Sequence, residues 1–148
     1  RPYIVYGVGR DQGMTSDIAK ALLAVAAGRP YAIRFGGPVG LQYADDVARI
    51  FIECARSGYA GAAVCNLRND ILEVSDFVAR VQAGYPQAEL TYAAGNPLPF
   101  PFDLDDSGLQ GILGKVPHTP LGAAIDETVD LFRDLVAHSR INLKQLEN

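Results

Sequence analysis

The hydrophobic pattern divides the chain into alternating short extended runs and helical stretches. Tyr3-Ile4-Val5-Tyr6 is β-branched and aromatic and reads as a strand. Gly7-Val8-Gly9-Arg10-Asp11-Gln12-Gly13 follows as a loop, its three glycines supplying turns that other residues resist. Thr15, Ser16 and Asp17 are candidate N-caps for a helix carrying Ile18, Leu22 and Val25 inward, running to Ala27 and stopping at Gly28. Tyr31 to Phe35 predicts a short strand ended by Gly36-Gly37-Pro38, and Leu41-Gln42-Tyr43 a further extended piece.

The clearest helix begins at Asp45 and Asp46, which favour the positive end of its dipole, and presents Val47, Ile50, Phe51, Cys54 and Ala55 on one face before ending near Gly58. Ala62 to Leu67 is a continuous apolar run of the kind found in buried parallel strands. Ser75 can cap a helix bearing Phe77, Val78 and Val81, which ends at Gly84 and Pro86; Glu89 to Tyr92 is another strand. Three prolines in residues 95–102 predict a semi-rigid exposed loop. Asp105 or Asp106 opens a short helix ending at Gly114, and Leu121 to His138 forms the last one, with Ile125, Val129, Phe132 and Val136 inward. This alternation predicts an α/β fold with a small, mostly parallel sheet and flanking helices.

Composition narrows the function classes. At 148 residues and 49% hydrophobic the chain can bury one core. Its 17 acidic residues outnumber 13 scattered basic ones, for a net charge of −4, which argues against nucleic acid and against an anionic membrane surface. The longest apolar stretch, Ala19 to Ala27, is interrupted by Lys20 and too short to span a bilayer, and no secretion signal is visible. Cys54 and Cys65 sit in apolar patterns, as small buried thiols do, so the expected compartment is a reducing cytoplasm. Two histidines and no Cys-x-x-Cys predict no metal site. The chain also enters a strand at once from Arg1, so a region upstream of it is expected.

Three segments, in order, resemble the C-terminal half of extended short-chain dehydrogenase/reductases of the NAD-dependent epimerase/dehydratase family. Residues Arg1 to Asp11 resemble its "RP..VYGPGRD" passage, and Tyr43-Ala44-Asp45-Asp46-Val47-Ala48 its "YVDDVA" helix start. Leu113-Gly114, Pro117 and Leu121 resemble "LGW.P...L", while Cys65-Asn66-Leu67 and Val74-Ser75 are similar to its "N.g" and "vs..el" pieces. The resemblance implies the substrate-binding portion of an NAD(P)-binding Rossmann-type epimerase/dehydratase. Residues 1–13 would close the dinucleotide-binding domain and 14–148 form the substrate-binding C-terminal domain. The family's glycine-rich turn and its Tyr-x-x-x-Lys pair lie before this passage, and here no Tyr precedes a Lys by four. Because that pair performs the acid/base step, the chain alone is expected to be inactive, with no catalytic residue of its own.

By the same resemblance NAD or NADP is held mainly by the preceding region, with Pro2 and Tyr3 the candidates for reaching the nicotinamide. Tyr6, Arg10, Asp11, Gln12, Gln42 and Tyr43 are the candidates for the small-molecule substrate, and a homodimer is the implied assembly. Relatives that take nucleotide-diphosphate sugars resemble one another in an Arg just before "YVDDVA" and another in the proline-containing loop. Here the first place reads Val39-Gly40-Leu41-Gln42, and residues 81–114 contain no Arg or Lys. A bidentate guanidinium is the natural partner of a phosphate, so the departure favours a sugar, sugar acid or other hydroxy/keto compound.

Plainer readings stand beside these. Arg10 and Asp11 could form an exposed ion pair, and Asp45 and Asp46 suit helix capping better than acid/base work. Gln42 and Tyr43 could pack a strand end. His118 reads as a solvated loop residue and His138 as a charge near a helix C-terminus. Phe100 and Phe102 suit a lid or a dimer contact. Two competing functions keep the fold without the chemistry: a non-catalytic small-molecule-binding or scaffold domain, and an NAD(P)-sensing regulatory protein.

Overall fold

The computed structural model describes residues 1–147 and contains five strands and five helices among them. In chain order these are β1 (Ile4–Tyr6), α1 (Asp17–Ala27), β2 (Tyr31–Ile33), β3 (Pro38–Tyr43) and α2 (Ala44–Arg56). Then come β4 (Asp70–Glu73), α3 (Val74–Gly84), β5 (Leu90–Tyr92), α4 (Ser107–Leu113) and α5 (Leu121–Ala137), with a 3-10 turn at Leu143–Leu146.

The strands form two small sheets. In the first, β1 pairs parallel to β3 with Ile4 opposite Leu41 and Tyr6 opposite Tyr43, and β4 pairs antiparallel on the far side of β3. In the second, β2 runs parallel to β5, and a bridge from Gly36 to Pro97 prolongs the pairing. Helix α1 packs on α5 and against β2, so Leu22, Leu23, Ile33, Val129 and Phe132 share one core with Ile4, Leu41 and Phe77. A second, smaller core joins Val47 and Ile50 of α2 to Leu67 and to Leu109 of α4. Helix α1 ends where expected: Gly28 adopts φ 63°, a left-handed turn that lets its N–H reach Ala24 and Val25 carbonyls.

Several expectations are corrected. Ala62 to Leu67 is no strand; residues 62–64 lie in solvent, and only the end of the run is anchored, Leu67 donating to the Arg1 carbonyl at 3.1 Å. A short apolar run carries no partner information, and here only its end pairs, with Arg1 just ahead of β1, whose amino group donates to the Cys65 carbonyl at 2.5 Å. The strand in that region is β4, whose antiparallel pairing makes the first sheet mixed. Strand β3 starts at Pro38, earlier than Leu41. Ser75 is not a cap, because α3 already starts at Val74. Neither cysteine is fully buried: Cys54 is exposed and Cys65 half-buried. Phe51, Cys54 and Ala55 are also exposed, so only the first half of the α2 face is covered. No helix among the described residues is long and apolar enough to cross a membrane.

Candidate functional site

In open α/β sheets, ligands bind outside the carboxyl ends of the parallel strands, where loops leave room. The carboxyl end of β1 opens into residues 7–16. Gly7 has φ 132°, and a Cβ there would meet the Ala44 Cβ at 3.0 Å, so the turn into the loop is packed against the start of α2. Arg10 folds back, its Nε donating to the Val5 carbonyl at 3.3 Å, which closes the strand end. Asp11 is half-buried and Gln12 exposed.

The carboxyl ends of β2 and β5 face the same loop across a groove of about 420 Å³, lined by Gly13, Met14, Arg34, Phe35, Asn96 and the prolines of residues 97–99. Asn96 holds the far wall by donating to the Arg34 carbonyl at 2.6 Å. The glycines opposite this wall explain how the proline loop lies so close: a Cβ on Gly36 would sit 2.7 Å from the Ala93 oxygen, and one on Gly40 2.6 Å from the Phe102 oxygen. Arg34 is the groove's cation, 53% exposed in its side chain, but Asp17 neutralises it from beneath. The fully buried Asp17 carboxylate accepts from Arg34 Nη2 at 2.6 Å, the Arg34 N–H at 2.7 Å and the Tyr31 hydroxyl at 3.0 Å. Burial alone would raise its pKa, yet these hydrogen bonds outweigh burial and hold it below the usual carboxylate range.

Asp17 also decides what the loop cannot hold. A dinucleotide pyrophosphate is normally received by the free N–H groups of the helix that follows a first strand. Here the first turn of α1 carries a buried negative carboxylate instead. The residues present do not fit an NAD pyrophosphate.

A second polar group gathers at the ends of β1 and β3. The Tyr6 and Tyr43 rings stack at 5.8 Å, tilted by 37°. Tyr43 donates its hydroxyl to Glu127 at 3.0 Å, and burial, then that carboxylate, push its pKa up to about 12. Tyr6 is fully buried, its hydroxyl has no partner among the described residues, and burial and the charges of Asp70 and Asp46 raise its pKa further. Both phenols therefore stay protonated at neutral pH and neither acts as a base, while only Tyr43 serves as a donor, to Glu127. Asp46 is no helix cap: it accepts from the Thr119 N–H at 2.6 Å and hydroxyl at 2.8 Å, tying α2 to the segment before α5. His118, expected as a plain solvated residue, pairs with Asp70 at 3.2 Å on the wall of an open groove of about 870 Å³ beside α3. Burial raises the Asp70 pKa and the contact with His118 opposes it.

Of the residues singled out from the sequence, Arg10, Asp11 and Gln12 lie in the loop that ends at Gly13 and Met14, but none of the three lines the groove. Pro2 is exposed, and the half-buried Tyr3 packs edge-on against Phe100 at 6.0 Å. Gln42 and Tyr6 offer no surface to a ligand. The Gln42 amide accepts from the Tyr3 N–H at 2.6 Å and donates to the Leu67 carbonyl at 2.8 Å, cross-tying the sheet, and Tyr6 is core. Arg34, Met14 and Asn96 were not singled out. Arg34 and Asp17 lie 17 residues apart, a separation no periodicity reports; the Gly36-Gly37 pair was the one signal of a close approach.

No protein-family description and no curated protein matches this sequence. Solved structures do match its fold. A UDP-glucuronic acid 4-epimerase from Bacillus cereus, solved with UDP-glucuronic acid and NAD, is 17% identical with TM-score 0.73, over 91% of this chain and 44% of its own. A partial-consensus L-threonine 3-dehydrogenase is 16% identical with TM-score 0.70, over 88% and 46%. The NAD-dependent NDP-hexosamine 5,6-dehydratase TunA is 18% identical with TM-score 0.71, over 97% and 46%. At these identities the likeness is one of fold, and the chain spans a little under half the length of the structures it matches. The chain thus shares the fold of one portion of each of these structures.

Proposed function

We infer that this chain is the substrate-binding portion of an NAD(P)-dependent epimerase, dehydratase or oxidoreductase acting on a sugar or a related hydroxy/keto compound. The observation that carries the reading is the lopsided overlap: some nine-tenths of this chain superposes on less than half of each enzyme. The dinucleotide and the Tyr-x-x-x-Lys pair then belong to a nucleotide-binding portion, in keeping with the carboxylate at the start of α1. Pro2 and Tyr3 face that portion, and the loop bearing Arg10, Asp11 and Gln12 receives the substrate together with the groove beside Arg34. With Arg34 neutralised by Asp17, the groove offers a diphosphate little compensating charge, which favours a substrate of low charge.

The test has two arms. The purified 148-residue chain, given NAD or NADP and a panel of sugars and sugar acids, is expected to produce no nicotinamide absorbance at 340 nm; turnover would overturn the reading. The protein isolated from its natural source is expected to carry NAD(P) and to weigh about twice the 15.9 kDa of this chain. A mass near 15.9 kDa without nucleotide would leave a non-catalytic binding domain as the better account.

A further inference from the structure

Residues 114–120 cross from α4 to α5 as a strap with few attachments. The strap starts at Gly114, whose φ of 70° is left-handed backbone that favours glycine and where an added Cβ would meet nothing within 4 Å. It ends at Pro120, the residue before α5. Among the described residues, two carboxylates from elsewhere in the fold supply every hydrogen bond that residues 116–119 make. The buried Asp46 of α2 accepts from the Thr119 N–H at 2.6 Å and hydroxyl at 2.8 Å, and Asp70 of β4 meets His118 Nε2 at 3.2 Å. Val116 adds an apolar contact with the small core under α2.

His118 stands as a partition between two hollows. It lines the open groove of about 870 Å³ beside α3 and also one of about 360 Å³ beside α4, whose walls include Asn69, Gln110 and the strap itself. Both polar atoms of the Asn69 amide are shut from solvent with no partner among the described residues. The Tyr6 hydroxyl is in the same condition, and the charges of the two anchors, Asp70 and Asp46, bear on it. Buried polar groups are normally paired or wet, so a cover over unpaired ones is poised to open.

The two anchors differ in kind. Asp46 is fully buried, and its donors are a backbone N–H and a hydroxyl, neither of which changes charge near neutrality. Asp70 is 18% exposed in its side chain, and its partner is an imidazole 46% exposed. Histidine changes charge between about pH 5 and 8, which converts an ion pair into a neutral hydrogen bond. The other charges around His118 are Asp76 and Arg80 of α3 across the larger groove, and Arg68, Asp106 and Lys115 around the smaller one. Arg68 is already held by Asp103, and among the described residues Asp70 is the carboxylate within ion-pair reach of the imidazole. Asp70 in turn feels Asp46 and Arg80.

We propose that residues 114–120 are a pH-sensitive strap, closed while protonated His118 pairs with ionised Asp70. Loss of the imidazole proton loosens residues 115–118 about Gly114, with Thr119 still held by Asp46. The two hollows then join, and the Asn69 amide is bared to solvent. Burial raises the Asp70 carboxyl, so the pair is lost in acid as well, and closure occupies a window of pH. The device is independent of the functional reading above, since it uses no cofactor and no second portion.

The Asn69 side-chain amide reports on the strap directly. Its proton exchange with water, read by NMR in the 148-residue chain, is taken as a ratio to that of the exposed Asn142, which cancels the intrinsic effect of pH. Asn69 is expected to exchange far more slowly than Asn142 at about pH 6, with the ratio rising about fivefold by about pH 8. His118→Gln keeps a neutral hydrogen bonder and is expected to hold the ratio at its higher value at both pH values, with the α1 amides unchanged as the sign that the body stays folded. A ratio in the wild type that does not move with pH overturns the proposal, as does an Asn69 amide that exchanges as fast as Asn142 throughout. A pH dependence that survives in His118→Gln overturns it too, because another group then carries the response.

Discussion

Helices α1 and α2 are of similar length and meet opposite fates. Eight of the eleven residues of α1 are buried, because α5 covers one side and the β2-β5 sheet another. Only three of the thirteen in α2 are buried, although its stripe from Val47 to Cys54 is the cleaner amphipathic pattern. Amphipathicity describes a helix that needs a cover; it does not say that the cover lies in the same polypeptide. The well-packed half of this molecule is the half that supplies its own cover. On the α2 side the stripe stays open from Phe51 onward.

The sharpest way to break this contrast is to truncate one side chain on each helix. Leu22→Ala on α1 removes a fully buried side chain and is expected to cost about 3 kcal/mol in urea unfolding of the 148-residue chain. Phe51→Ala on α2 is expected to change stability by no more than about 0.5 kcal/mol, because its ring lies mostly in water. A comparable cost at Phe51 would mean that the face is already covered, and the contrast would fail.

The polar contacts of the two helices differ in the same way. Asp45 and Arg49 of α2 form an exposed pair in adjacent turns, whereas Asp17 of α1 binds Arg34 from a fully buried position. Asp17→Asn turns an acceptor of several hydrogen bonds into a poor one and is expected to cost about 2–3 kcal/mol, the low end for a broken buried pair because the guanidinium remains half in water. The pH dependence follows from a folded pKa held below the unfolded value of about 3.9. The stabilisation is complete above the unfolded value and is lost as pH falls through the folded one, so wild type and variant converge in strong acid. Asp70 has the opposite sign. Its raised pKa makes the ionised form a burden, so Asp70→Asn is expected to gain stability at pH 7, a gain that vanishes below the unfolded pKa. Paired acid titrations of the two variants check both signs.

These contacts mark where the sequence was legible and where it was not. Period and punctuation located α1, α3 and α5 closely, because Gly28, Gly84 and the spacing of Ile125, Val129 and Phe132 act within a turn or two of the helix they define. Residues 62–67 misled for the opposite reason: a strand needs a neighbour, and apolarity alone names none. The Arg10–Gln12 loop was found by its glycines, but Arg34 and Asn96 reach the groove through pairings 17 and 62 residues distant. Gln42 takes the plainer of its two readings, because an amide that cross-ties Tyr3 and Leu67 looks, in one dimension, like any polar residue at a strand end.

Gly40 tests whether the proline loop is a fixed wall of the groove. Its added Cβ would meet the Phe102 backbone oxygen at 2.6 Å, and backbone cannot swing aside as a side-chain tip can. Gly40→Ala is expected to cost about 1–2 kcal/mol and to loosen residues 97–103, seen as faster amide hydrogen exchange there with α1 unaffected. Unchanged exchange in the loop would show that it rests on β3 without being held.

The smallest expected effect separates the two stacked tyrosines. Tyr43 keeps a hydroxyl partner in Glu127, whereas the Tyr6 hydroxyl is buried without one among the described residues, a desolvation cost that a hydrogen bond would normally offset. Tyr6→Phe keeps the ring against Tyr43 and is expected to be neutral or to stabilise the chain by up to about 1 kcal/mol. Tyr43→Phe is expected to destabilise it by a similar amount, because Glu127 loses its donor. Thermal unfolding of both variants reads the difference. If Tyr6→Phe instead lowers stability by as much as Tyr43→Phe, its hydroxyl bonds a buried water, and the end of β1 is a hydrated site continuous with the neighbouring carboxylates rather than dry core.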